Sequence, residues 1–173
     1  TKELKKYKLK SASDFAPKEE GGLNIEGLAS SKNGHLLLGL RNPIFKGNAL
    51  IIGIKNPNDL IAGKKPIFNS ITEINLDGLG IRSLERYKND YLIIAGPYNG
   101  DKIFKLFLWN GLKKDLTLRN IPLDFDDFNP EAFFMTSPNN VPRTLSSNPF
   151  WDPDLLNGWH GKPAHKISWS SIS

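Results

Sequence analysis

The chain of 173 residues contains no cysteine, which excludes disulfides, thiolate nucleophiles and cysteine-ligated metals. Histidine is scarce: only His35, His160 and His165 occur, the last two in a Gly/Pro-containing segment. Their spacing excludes the helical HExxH pattern, and no zinc site is expected from them. Ser137, Ser146 and Ser147 lack a G-x-S-x-G setting, and neither a P-loop nor a dinucleotide fingerprint occurs. Long apolar runs are missing too. None, Ala49 to Ile52 among them, approaches the roughly 18 residues of a membrane-spanning helix, and no signal-peptide core opens the chain. Nor does any segment keep apolar residues at helical spacing over about a dozen positions without a Gly or Pro intervening.

What is present is turn chemistry between short apolar runs. Hydrophobic residues make up 39% and charged residues 24%, which argues against disorder along the whole chain. Gly at 15 and Pro at 12 are scattered between the runs, the pattern of an all-β protein. The net charge of +5 lies entirely in the first 128 residues, because Arg143, Lys162 and Lys166 balance Glu131, Asp152 and Asp154 beyond them. No block of five or six like charges exists. Lys5, Lys6, Lys8 and Lys10 read as a solvated basic terminus, and a nucleic-acid partner is not expected.

A degenerate internal repeat organises the chain. Strand-like segments at 24–29, 35–40, 49–55 and 71–76 are followed by a second set at 80–85, 91–97, 104–109 and 118–123. A third set opens at 129–134. Glu26 to Arg82 spans 56 residues and Arg82 to Glu131 spans 49, close to the about 40–50 residues of a four-stranded propeller blade. Radial stacking gives each sheet two apolar neighbours, which accounts for continuous runs such as Leu36-Leu37-Leu38-Gly39-Leu40 and Leu92-Ile93-Ile94-Ala95-Gly96. Asn110-Gly111 marks a hairpin turn. The expected fold is all-β: a β-propeller-like array of four-stranded antiparallel blades. Two to three blades make a partial propeller, belonging to a longer chain or completed by self-association, unless the sheets pack as a sandwich; a fragment of a longer chain is the favoured reading. The expected boundaries are a basic segment at 1–22, blades at 23–79 and 80–128 with a third starting at 129, and an irregular tail at 135–173.

Glu26-Gly27-Leu28-Ala29, then Leu38-Gly39-Leu40-Arg41-Asn42-Pro43 with Ala49-Leu50, resembles the bacterial family of unknown function numbered 3616. Gly80-Ile81-Arg82-Ser83-Leu84, Ala95-Gly96-Pro97, Leu108-Trp109-Asn110-Gly111 and Asn129-Pro130-Glu131-Ala132 extend the resemblance over about residues 23–134. It implies a propeller-like fold and no established activity.

Glu26, Arg82 and Glu131 stand at equivalent points at the heads of successive units. First strands of propeller blades line the central channel, so these charges are expected to converge there. Arg82 and Arg41 are suited to hold a phosphate or carboxylate in a bidentate fork. Alternatively, Glu and Arg pair with one another and keep the units in register. Asp124 and Asp126, with Glu131 beyond them, form an acidic group that is a candidate for calcium, a cation taking about six to eight oxygen ligands. The EF-hand spacing is absent, so a solvated turn is the competing account. In the tail, Phe150, Trp151, Trp159 and Trp169 are suited to cover an open sheet edge or to stack on a ligand. The functional expectation is a binding module for a protein partner or a small anionic ligand at the channel mouth. A calcium-dependent phosphoester hydrolase of phytase-like propeller type is the alternative, and it rests on fold analogy alone.

Overall fold

The computed structural model describes the backbone of residues 2–99, 103–112, 119–121, 130–136 and 141–146. Two short helices open it, α1 (Lys2–Lys6) and α2 (Leu9–Ala12). A first antiparallel sheet follows, made of β1 (Asn24–Ser30), β2 (Leu36–Asn42), β3 (Ala49–Ile54) and β4 (Phe68–Ile74), with α3 (Pro57–Ile61) before β4. The second sheet repeats the same order with β5 (Gly80–Tyr87), β6 (Asp90–Gly96), β7 (Lys105–Trp109) and β8 (Arg119–Ile121). A hairpin of β9 (Pro130–Thr136) and β10 (Val141–Ser146) forms the third. The chain is therefore all-β in character, and its sheets do not close on themselves among the described residues.

Burial on both faces explains why the strands read as continuous apolar runs. Every residue of β3 is buried. Ala49 and Ile51 point into a cluster shared with Ile81, Ile93 and Phe107 of the second sheet. Leu50 and Ile52 point the other way, to Leu40, Ile71 and Tyr7. A strand covered on both sides gains from apolar residues at every position, each fully buried Leu or Ile contributing about 1.5–3 kcal/mol. β6 behaves alike, with Leu92, Ile93, Ile94 and Ala95 all at 0% exposure.

The basic N-terminus is not the solvated arm expected from composition. Leu4, Leu9 and Leu23 pack on the outer face of the first sheet around buried Tyr7. The Tyr7 hydroxyl donates to Glu73 Oε1 at 2.7 Å, Lys6 Nζ reaches the same oxygen at 2.8 Å, and the Tyr7 ring meets Phe45 edge-on at 4.8 Å. Asn42 Nδ2 donates to the carbonyls of Pro17 and Glu19 and so ties the following loop to β2. A charge count cannot register such contacts, because the leucines that drive the packing sit between lysines.

The tail expected to be irregular from residue 135 also differs. β9 continues to Thr136, and β10 pairs with it from Val141↔Thr136 to Ser146↔Pro130. Pro142 lies within β10, where an edge position tolerates a missing amide donor. The tail aromatics, Phe150, Trp151, Trp159 and Trp169, lie outside the described residues.

The two large sheets meet through a glycine slot. Gly27 of β1 and Gly39 of β2 are cross-strand partners. Ile81 of β5 fills the space their missing side chains leave: a Cβ at Gly27 would lie 2.8 Å from Ile81 Cγ2, and one at Gly39 2.6 Å. A Cβ at Gly80 would collide with the Arg41 carbonyl oxygen. The glycines of the EGLA, LGLRNP and GIR motifs are thus required by close approach.

Gly39→Ala is expected to destabilise the protein by about 1–3 kcal/mol through overpacking. In a double-mutant cycle with Ile81→Ala, read by urea unfolding, the double variant should lose less than the sum of the two single losses. Glu73 gives a pH-dependent counterpart. Hydrogen bonds from Lys6 and then Tyr7 hold its carboxyl below the usual glutamate range. Its contribution is therefore complete above the unfolded-state value and lost as pH falls through the depressed folded value. Glu73→Gln should flatten that acid limb of the stability profile while leaving the region around neutral pH parallel to wild type.

Candidate functional site

The four charged residues singled out in the sequence all sit at irregularities in strand pairing. In β1, Ile25 pairs with Leu40 and Gly27 with Gly39, so Glu26 is the extra residue of a bulge. On β2, Asn42 pairs with Asn24 and Leu40 with Ile25, leaving Arg41 as the extra residue. In β5, Ile81 pairs with Ala95 and Ser83 with Ile94, so Arg82 bulges. In β9, Ala132 pairs with Leu145 and Pro130 with Ser146, which leaves Glu131. A bulge bends the strand and re-aims one side chain out of the alternating pattern. Here the bulges aim four charges at each other, where β1, β5 and β9 come together.

The geometry is an alternating chain of ions. Arg41 Nη1 donates to Glu26 Oε1 at 2.8 Å, and Asn24 Nδ2 donates to the same oxygen at 3.0 Å. Arg82 Nε lies 4.0 Å from Glu26 Oε2, and Arg82 Nη2 reaches Glu131 Oε2 at 2.5 Å. The two guanidiniums are the buried members, each with a side chain 6% exposed, whereas the carboxylates are 24% exposed at Glu26 and 38% at Glu131. Two positive and two negative groups balance. Burial without that balance would be prohibitive.

Each arginine is held further by its surroundings. Arg41 Nε donates to the Pro97 carbonyl at 2.9 Å and Nη2 to that of Asn99 at 3.4 Å, so its fork bridges the two sheets. Arg82 lies over the Phe104 ring at 5.2 Å, a cation–π contact. Gly96 makes room for it, since a Cβ there would come within 2.6 Å of Arg82 Cδ. Pro97, Asn99, Phe104 and Asn24 were not identified from the sequence. The Ala95-Gly96-Pro97 motif marks the place, but a carbonyl acceptor leaves no side-chain signature.

One feature of the chain is incomplete. Glu26 Oε2 and Arg82 Nε are both buried with no hydrogen-bond partner among the described residues. Their 4.0 Å separation is within ionic reach but beyond a hydrogen bond. The Nε/Nη2 edge of Arg82 is the edge that binds carboxylate or phosphate bidentately, and only its Nη2 half is engaged by Glu131. Of the candidate calcium ligands, Glu131 is thus placed on Arg82, while Asp124 and Asp126 lie outside the described residues. His35 contacts Asn69 at 3.3 Å, and His160 and His165 fall outside the described residues. No helix among the described residues is long and apolar enough to cross a membrane.

Arg41→Lys is expected to destabilise by about 1.5–3 kcal/mol, because an ammonium cannot span Glu26 and the two loop carbonyls at once. Urea unfolding should show a lower midpoint with an unchanged slope.

No curated protein and no solved structure matches the chain. A family model does: that of a protein of unknown function, DUF3616, over residues 3–120. The match takes in both N-terminal helices, the two four-stranded sheets and three of the four charged bulge residues, and stops short of Glu131. Covering more than half of the sequence, it establishes that the chain belongs to the DUF3616 family.

Proposed function

We propose that the protein is a noncatalytic, propeller-type binding module that holds a small anionic group, a carboxylate or phosphate, on Arg82 at the heads of its sheets. The observation carrying this reading is the unpartnered Arg82 Nε beside an Nη2 engaged only by Glu131. An incoming anion with two coplanar oxygens takes the whole Nε/Nη2 edge and displaces the more exposed Glu131, while Arg41 keeps Glu26 in place. Phe104 behind the guanidinium fixes its plane, which suits bidentate capture better than a lysine would.

The propeller part of the proposal draws on the stacking of the sheets. β5 neighbours both β1 and β9, each of the three being the first strand of its sheet, and strands such as β3 are buried on both faces. Further sheets, from a longer chain or from other copies, would complete the ring. The phosphoester hydrolase alternative depends on calcium at Asp124, Asp126 and Glu131, and no observation favours it.

The test is thermal unfolding with inorganic phosphate, phosphate esters and small dicarboxylates. A ligand at about 100 times its Kd adds about 2.7 kcal/mol, or about 5–10 °C for a chain of this size. The expected result is a shift from at least one anion that vanishes in Arg82→Lys and grows in Glu131→Gln, where the competing carboxylate charge is gone. A shift that survives Arg82→Lys, or none from any anion, would leave the charges as ties between sheets.

A further inference from the structure

The outer face of the first sheet holds a second and separate feature. Between α1–α2 and this face lies a cavity of about 710 Å³, within the roughly 300–1,000 Å³ of small-molecule sites. Its floor is Leu38, Ile52, Ile54 and Phe68, and Leu9 walls the helix side. Leu60 and Pro66, from the α3–β4 connection, close the opposite side. Exposed Ile25, 48% accessible, continues the apolar surface outward.

The charges on this cavity are of one sign. Lys5, Lys8 and Lys10 line it, and no Asp or Glu among the described residues does. All three lysines are exposed and make no ion pair among the described residues, whereas neighbouring Lys6 is taken by Glu73. Ser11 and Ser13 add hydroxyls beside them. An apolar interior with an uncompensated cationic rim is complementary to one kind of molecule: an alkyl chain ending in an anion.

We infer that this cavity binds a free long-chain carboxylate, its tail on Leu38, Ile52, Ile54 and Phe68 and its headgroup among Lys5, Lys8 and Lys10. The tail supplies affinity, about fourfold for each methylene taken from water, and the lysines select the sign of the headgroup.

The experiment is calorimetric titration of the full chain with decanoate and dodecanoate below their micellar concentrations, beside decyltrimethylammonium. One carboxylate per chain is expected to bind, dodecanoate more tightly than decanoate by about tenfold or more. The ammonium amphiphile should bind at least tenfold more weakly than decanoate. Lys8→Glu with Lys10→Glu, both exposed and expected to fold normally, should lower carboxylate affinity at least tenfold. Lys46→Glu, an exposed lysine that does not line the cavity, should leave it unchanged. Equal binding of both amphiphiles would overturn the inference. So would absence of binding, binding only to anionic phospholipid vesicles, or a concentration-dependent dimer that occludes the cavity and excludes dodecanoate.

Discussion

The seat of Ile81 between Gly27 and Gly39 is the constraint on which the rest of the molecule depends. Two sheets with ordinary side chains on their facing surfaces stand about 10 Å apart. Removing the side chains from one cross-strand pair lets β5 come down onto β1 and β2 at that point. Arg82 follows Ile81 directly in the chain, so the depth of the isoleucine sets how far the guanidinium reaches. The Gly80 contact with the Arg41 carbonyl repeats the condition one residue earlier. With side chains at these glycines the sheets would separate, and the approach of Arg82 to Glu26 would open beyond its present 4.0 Å.

The charge chain that this approach creates is not a simple source of stability. Burying a guanidinium costs several kcal/mol of solvation, which a single carboxylate seldom recovers in full. Arg41 recovers it with three acceptors, one ionic and two backbone. Arg82 does less well, with an aromatic face and one close carboxylate but no acceptor for Nε among the described residues. The two arginines therefore play different parts. Arg41 is a saturated tie between the sheets, and Arg82 is the member whose hydrogen-bonding capacity is unspent. An unsatisfied buried donor is a standing penalty that a ligand oxygen would relieve.

The strands were legible in the sequence because both faces of each inner strand are covered, which turns Ala49 to Ile54 and Leu92 to Gly96 into runs that need no periodicity to be seen. Glu26, Arg82 and Glu131 were legible as equivalent positions, and the structure does bring them together. That they are bulge residues was not legible. A bulge is a relation between two strands, and the extra residue has no composition of its own. The motif glycines were visible as motifs, but their reason lies in Ile81, more than 40 residues from Gly39 along the chain. The N-terminal helices were missed because each is one turn or little more, stabilised by what it covers and not by its own periodicity. α3 carries Pro57 in its first turn, a start signal too brief to outweigh the surrounding turn residues.

Strand β2 shows how one stretch of backbone serves both faces. Leu38 floors the outer cavity, Gly39 receives Ile81, Leu40 is buried in the outer core, and Arg41 joins the two sheets. Alternation assigns the first three roles, Gly39 facing the second sheet and Leu38 and Leu40 facing the helices, and the bulge at Arg41 aims the fourth. The consequence is separation with adjacency: the cavity and the charge chain share no side chain, yet consecutive residues of one strand build both. Because Gly39 leaves β2 no room to move towards β5, an occupant pressing on Leu38 meets a strand braced from behind. The two sites should therefore fill independently, the brace that positions Arg82 being the same contact that insulates it from the outer face.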